Sequence, residues 1–247
     1  MVTGPLGRAV GRATATASAA AGAAAGAAGR TRRGAAAQRR EAVFAALRAQ
    51  LLERPWAEVT LEAVAKDAGV SRQTLYNSFG SRSGLAQAYT FHLADALCEV
   101  IAASVQAHPG DPRGGLEEGI RVYLEFALDD PLFGRVGAGE AHSDLARLVT
   151  TDARPLLERV AGRLTEIGTA AWPELPPERA RAVASTTARL ALSFVVTPPG
   201  EDETPASVAA TIASVLDLPA APADRGIPGD TGGPGDPGDA AGPVGTA

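Results

Sequence analysis

Residues 60–82 read TLEAVAKDAGVSRQTLYNSFGSR, and no other stretch of this 247-residue chain restricts its fold so tightly. Leu61, Val64, Ala65 and Ala68 recur at i, i+3, i+4 and i+7, which gives a first short helix one apolar face to bury. Thr60 stands where that helix needs an N-cap. Gly69 follows the last periodic residue, where a chain leaving a helix turns through left-handed backbone that only Gly enters at little cost. The turn therefore falls at Ala68 to Val70. Ser71 can cap a second helix, in which Leu75 and Phe79, spaced i, i+4, join Val70 in a small core. Everything else on that helix is polar. Arg72, Gln73, Thr74, Tyr76, Asn77 and Ser78 project outward, and such donor-rich groups near a helix start are what base edges and phosphates require. A helical hairpin whose polar face is merely solvated has the same spacing, so spacing alone leaves both readings open.

The side chains carry more than the spacing. GVSRQTLYNSFGSRSGL, with TLEAVAKDAG before it, closely resembles the N-terminal domain of the TetR family of transcriptional regulators. The resemblance runs from about Gln38 to Leu93 and is most specific at Ala65, at Ala68 to Ser71, at Thr74 to Tyr76, and at Phe79 and Arg82. Beyond residue 100 it rests on the pattern, length and order of helices. It implies that the second helix of the motif reads DNA, with Arg72, Gln73 and Asn77 towards base edges, Arg preferring guanine and Gln or Asn adenine. Thr60, Thr74, Tyr76 and Arg82 match positions where the family contacts phosphate. Two departures stand out. Pro55 occupies a place where the family more often has Gly, and Arg82-Ser83-Gly84 replaces the usual Lys followed by an acidic residue.

A net charge of −5 argues by itself against nucleic acid, so its distribution matters. Residues 30–95 carry Arg30, Arg32, Arg33, Arg39, Arg40, Arg48, Arg54, Lys66, Arg72 and Arg82 against Glu41, Glu53, Glu58, Glu62, Asp67 and Asp95, a local excess of positive charge. The rest of the acid lies after residue 95. One end can approach phosphate while the other is held off.

The chain divides into an Ala/Gly-rich extension with Arg (1–34), expected to be disordered, a small DNA-binding domain (35–95), a larger helical domain (96–217), and a Pro/Gly/Asp tail (218–247). Glycines 226, 229, 232, 235 and 238 keep a three-residue period, but five triplets are too few for a triple helix and the tail is expected to be disordered. Helix 1 is expected over Ala35 to Arg54, ended by Pro55, with Trp56 packed at the corner. A fourth, long helix after Ser81 links the two domains. Five more are expected, including a short piece near LFGRV and one long helix over DLARLVTTDARPLLERVAGRLTEIGTAAW. The fold expected is all-α, with about nine helices. Arg30, Arg32 and Arg33 can form an arm into the minor groove or a solvated basic tail.

A homodimer on a palindromic double-stranded operator follows from the resemblance, with the last two helices pairing across the dimer. So does a repressor released by a small apolar or amphipathic effector, for which Cys98, Ile101, Tyr123, Phe126, Phe133, His142 and Leu145 are the pocket candidates. No cofactor is implied. His92, His108 and His142 are dispersed with no Cys pair, so no metal site is expected, and the single Cys98 reads as a small buried hydrophobe. Without a run of 18 apolar residues no membrane span is expected; one cysteine fits a reducing compartment, and the location expected is cytoplasmic. Two rival classes are a DNA-binding protein without an effector and an all-α enzyme. The second lacks a GxSxG elbow or other nucleophile arrangement.

Overall fold

The computed structural model describes residues 27–130, 144–200 and 202–219, and the side chains of residues 34–130, 145–200 and 202–219. Among them are nine α-helices and no strand, as the sequence predicts. The first four are α1 (Ala27–Glu53), α2 (Leu61–Asp67), α3 (Arg72–Phe79) and α4 (Arg82–Gln106). The rest are α5 (Pro112–Asp129), α6 (Asp144–Val149), α7 (Arg154–Ala171), α8 (Pro177–Val196) and α9 (Pro205–Val215).

Helix α1 begins eight residues before the expected Ala35. Alanine is the strongest helix former, and the sequence around Ala27 and Ala35 is rich in it, so the helix propagates backwards into the extension. Arg30, Arg32 and Arg33 therefore lie in helical backbone. Residues 1–26 and the tail beyond 219 lie outside the described residues. At the other end Pro55 caps a 3₁₀ turn, Trp56–Glu58, with φ −67° and ψ 156°. That is the conformation proline prefers, so its presence where Gly is commoner costs nothing.

The local chemistry of the motif is as its residues predict. The Thr60 side chain accepts a hydrogen bond from the Ala63 N–H, and Ser71 accepts one from Thr74. Gly69 has φ +65° between the two helices. Phe44, Leu47, Leu51, Val64, Leu75 and Leu85 form the centre of this domain's core, with Val70 and Phe79 packed on its margin.

The departure at Gly84 has a structural reason. Ser81 caps α4 by accepting from the Gly84 N–H at 3.0 Å, and a Cβ at position 84 would stand 2.1 Å from the Phe79 carbonyl oxygen. Only glycine lets the first turn of α4 lie so close to the end of α3.

In the larger domain α4 is the central helix, flanked by α5, α6 and α7, while α8 packs on α7 and α9 on α5. Asp111 caps α5, and Thr204 forms a reciprocal capping box with Ser207 at the start of α9. The long helix expected from Asp144 to Trp172 is two helices. The chain turns at Thr150 to Ala153, and Pro155 in the first turn of α7 cannot continue a preceding helix because it has no N–H to donate. The nine helices are thus reached differently from expectation, since the piece near LFGRV lies outside the described residues. By length and composition α4 could cross a bilayer, with a mean hydropathy of 1.2 over its most apolar window. Here it is tied to α7 by Asp95 with Arg159, at 2.6 and 2.7 Å, and by Glu99 with Arg163.

Candidate DNA interface and effector cavity

Helix α3 buries Leu75 and turns Arg72, Gln73, Tyr76, Asn77 and Ser78 outward on an exposed surface. Gln73 Nε2 donates to Asn77 Oδ1 at 2.8 Å, so the two amides, one turn apart, are joined with donor and acceptor atoms left over. Arg72 is held on two sides: its Nη2 lies 2.7 Å from Glu62 Oε1 and donates to the Tyr76 hydroxyl at 3.5 Å. Those partners, Tyr76 first, raise its pKa above the ordinary guanidinium value. A fully exposed pair of this kind exchanges readily with water or phosphate. Thr74 is half-buried and its hydroxyl bonds to that of Ser71 at 2.8 Å.

Arg82 is placed differently from the other phosphate candidates. Its guanidinium sits 4.4 Å from the centre of the Trp56 ring and donates to the Trp56 carbonyl oxygen, while its Nε is buried without a partner. It faces inward and anchors the corner after α1. In exchange the structure brings forward Gln38 and Arg39, two exposed residues of α1 that line a shallow groove with Gly69, Ser71 and Thr74 at the start of α3. Their polarity on an otherwise alanine-rich stretch was the available signal.

Beneath this head an apolar cavity of about 220 Å³ runs along α4. Tyr89, Leu93, Leu97, Ile101 and Val105, each four residues after the last, give it one wall. These five residues are spread over about 24 Å of helix. One end is lined by Leu51, Arg54 and Trp56 of the DNA-binding head, and the other by Trp172, Leu175 and Leu218. Of the expected pocket residues Cys98, Ile101, Tyr123 and Leu145 line it. Phe126 does not; it packs with Leu124, Val208 and Ala209 in the core between α5 and α9. Phe133 and His142 lie outside the described residues. The two tryptophans were missed as lining residues, because nothing in their spacing relates position 56 to position 172.

Polar groups in the lining are few and mostly engaged. The Tyr123 hydroxyl donates to the Ala191 carbonyl oxygen, bridging α5 and α8, and burial pushes its pKa upward. Burial likewise lifts the Cys98 thiol to about 12, which leaves it neutral and unreactive at ordinary pH. The Tyr89 hydroxyl is buried with no partner at hydrogen-bonding geometry; burial raises its pKa, and the nearby Arg48 guanidinium opposes the rise. Among the described residues no three His, Cys, Asp or Glu side chains gather to hold a metal.

A helix-turn-helix head joined by one continuous helix to a helical domain with an apolar cavity defines a DNA-binding transcriptional regulator. Residues 43–89 match the family model for bacterial regulatory proteins of the tetR family, and residues 111–217 match that of a bacterial tetracycline-repressor C-terminal domain. The chain belongs to the TetR family. Its relatives are regulators rather than enzymes. It is 39% identical over 177 residues to the transcriptional regulator AlkX of Mycobacterium tuberculosis, an alignment covering 72% of this chain and 82% of that protein. The crystal structure of the repressor AlkX from Dietzia sp. strain DQ12-45-1b, implicated in biodegradation of n-alkanes, is 40% identical with a TM-score of 0.62. That match covers 72% of this chain and 92% of the other.

Proposed function

We propose that the protein is a homodimeric repressor that binds a palindromic operator through residues 35–95 and leaves it when a long apolar or amphipathic molecule fills the cavity in residues 96–217. The observation that carries this reading is the cavity itself, apolar along its length and touching the DNA-binding head at one end. A ligand bound there favours one arrangement of head and body over another, and only such differential binding can shift DNA affinity. The relative implicated in n-alkane biodegradation supports an aliphatic ligand of alkane type.

Arg72 and the Gln73–Asn77 pair read base edges, while Thr60, Thr74 and Tyr76, with Gln38 and Arg39 on α1, hold phosphates. Selection of DNA fragments by the purified protein is expected to enrich a palindrome; an unstructured pool would sink the reading. On the selected site, Gln73→Ala is expected to relax preference at one base pair, costing about 1–3 kcal/mol against the best sequence. Tyr76→Phe removes one hydroxyl and is expected to weaken all sequences alike by about 1 kcal/mol. Binding titrations against single-base variants of the operator separate the two patterns. Adding n-hexadecane or hexadecan-1-ol is expected to release the protein from this operator, and unchanged binding at saturating ligand would contradict the effector role.

A further inference from the structure

At the end lined by the DNA-binding head the cavity meets Trp56, 2% exposed, and the Arg82 guanidinium stands over its ring, 4.4 Å from the centre. Arg82 does not line the cavity. It is the first residue of α4, and the contact holding it to Trp56 is a spare one: a carbonyl oxygen, an aromatic ring, and a buried Nε with no partner. Two residues on, Gly84 lies so close to the Phe79 carbonyl oxygen that no Cβ fits between them. The first turn of α4 and the end of α3 are therefore in direct contact. Trp56, Arg82, Gly84 and Phe79 form an unbroken series of contacts from the cavity to the reading helix.

We infer that the cavity is read at this end: an extended aliphatic chain reaching Trp56 displaces its ring, releases Arg82, and carries the first turn of α4 and the reading helix with it. The inference rests on the effector reading of the cavity and adds what that reading lacks, namely where occupancy is sensed. Trp56 is the residue the ligand touches, and Arg82 is a positioning residue that acts through it.

The two tryptophans of the chain stand at opposite ends of the cavity, which makes the test direct. Full-length protein, Trp56→Phe, Arg82→Gln and the double variant are each titrated with hexadecan-1-ol, n-hexadecane and hexadecanoate, binding being followed by tryptophan fluorescence. In Trp56→Phe the signal comes from Trp172 alone. Operator affinity is then measured with and without saturating ligand, and the ratio is the coupling. Wild type is expected to show a ratio within about 5- to 150-fold, the usual allosteric range. Each single variant is expected to bind ligand yet lose at least fivefold of that ratio, and the double variant to lose no more than either single one. A ratio within twofold of wild type in ligand-bound single variants would overturn the sensing role while leaving the cavity a binding site. No fluorescence change and no release in wild type with any of the three probes would overturn the effector reading, and the relay with it. Either single variant decides alone, so misfolding of one leaves the other.

Discussion

At position 92 an imidazole is half-buried against Phe44, with ring centres 4.6 Å apart, and its Nε2 stands 3.7 Å from Glu41. Burial holds its pKa below the ordinary value of 6.5; Glu41 and Asp95 oppose that shift and Arg40 adds to it. Between the ordinary and the lowered value the unfolded chain binds a proton that the folded chain refuses. The stability from neutral His92 is complete above 6.5 and drains away as the pH falls through that window. Urea unfolding between pH 7.5 and pH 5 is expected to show wild type losing stability faster than His92→Gln; parallel losses would show that burial does not govern this imidazole. The same scale shows what a sequence can and cannot reveal. Thr60, Gly69 and Ser71 were legible because a cap or a positive φ is a local demand answered by the residue in place. The contact of Arg82 with Trp56 was not, since no local pattern relates a residue to a ring 26 positions earlier.

Between elements the decisive contact is the bond from Arg48 of α1 to Asp130, just past α5, at 2.6 Å. These residues lie 82 positions apart, and no periodicity connects them. They join the DNA-binding head to the body at a point distinct from the α4 bridge. The pair is unequal: the Asp130 side chain is 4% exposed and that of Arg48 36%. Either substitution breaks a charge-assisted hydrogen bond at the joint between head and body. Arg48→Met and Asp130→Asn are each expected to destabilise by roughly 1–3 kcal/mol. Denaturant melts of both variants check the loss, and a melt unchanged in both would show that this bond does not hold the head to the body. Helices themselves were easier to foresee. Their apolar spacing located the motif, α4, α5 and α8, but the break before α7 depends on one proline outweighing a continuous periodic pattern, and α1 gained its first turns from alanine propensity alone.

On the whole-molecule scale the question is what α8 and α9 do with the apolar surface they leave uncovered. Val208, Ala209 and Ala213 of α9 are buried against the body, but Val215 is 77% exposed and Val196, near the end of α8, 36%. Small residues such as Ser193, Ser214 and Ala210 lie in the same two helices and allow close approach of another helix. A lone exposed valine needs no explanation, yet exposed valines on both terminal helices are apolar surface whose burial would be favourable, at about 25 cal/mol per Å². A two-fold axis through this surface would place the same face of each protomer against its mate, which is the symmetry a palindromic operator demands. Val215→Glu puts a charge into that contact in both protomers at once and alters no buried residue of the single chain. It is expected to raise the dimer dissociation constant by roughly 10- to 100-fold, equivalent to about 1.4–2.7 kcal/mol, while the melt of the monomer stays within about 0.5 kcal/mol. Sedimentation of wild type and variant at micromolar concentration reads the change. A variant that remains as dimeric as wild type would remove Val215 from the interface, and operator affinity falling together with dimer content would tie the acidic body's pairing to the basic head's grip on DNA.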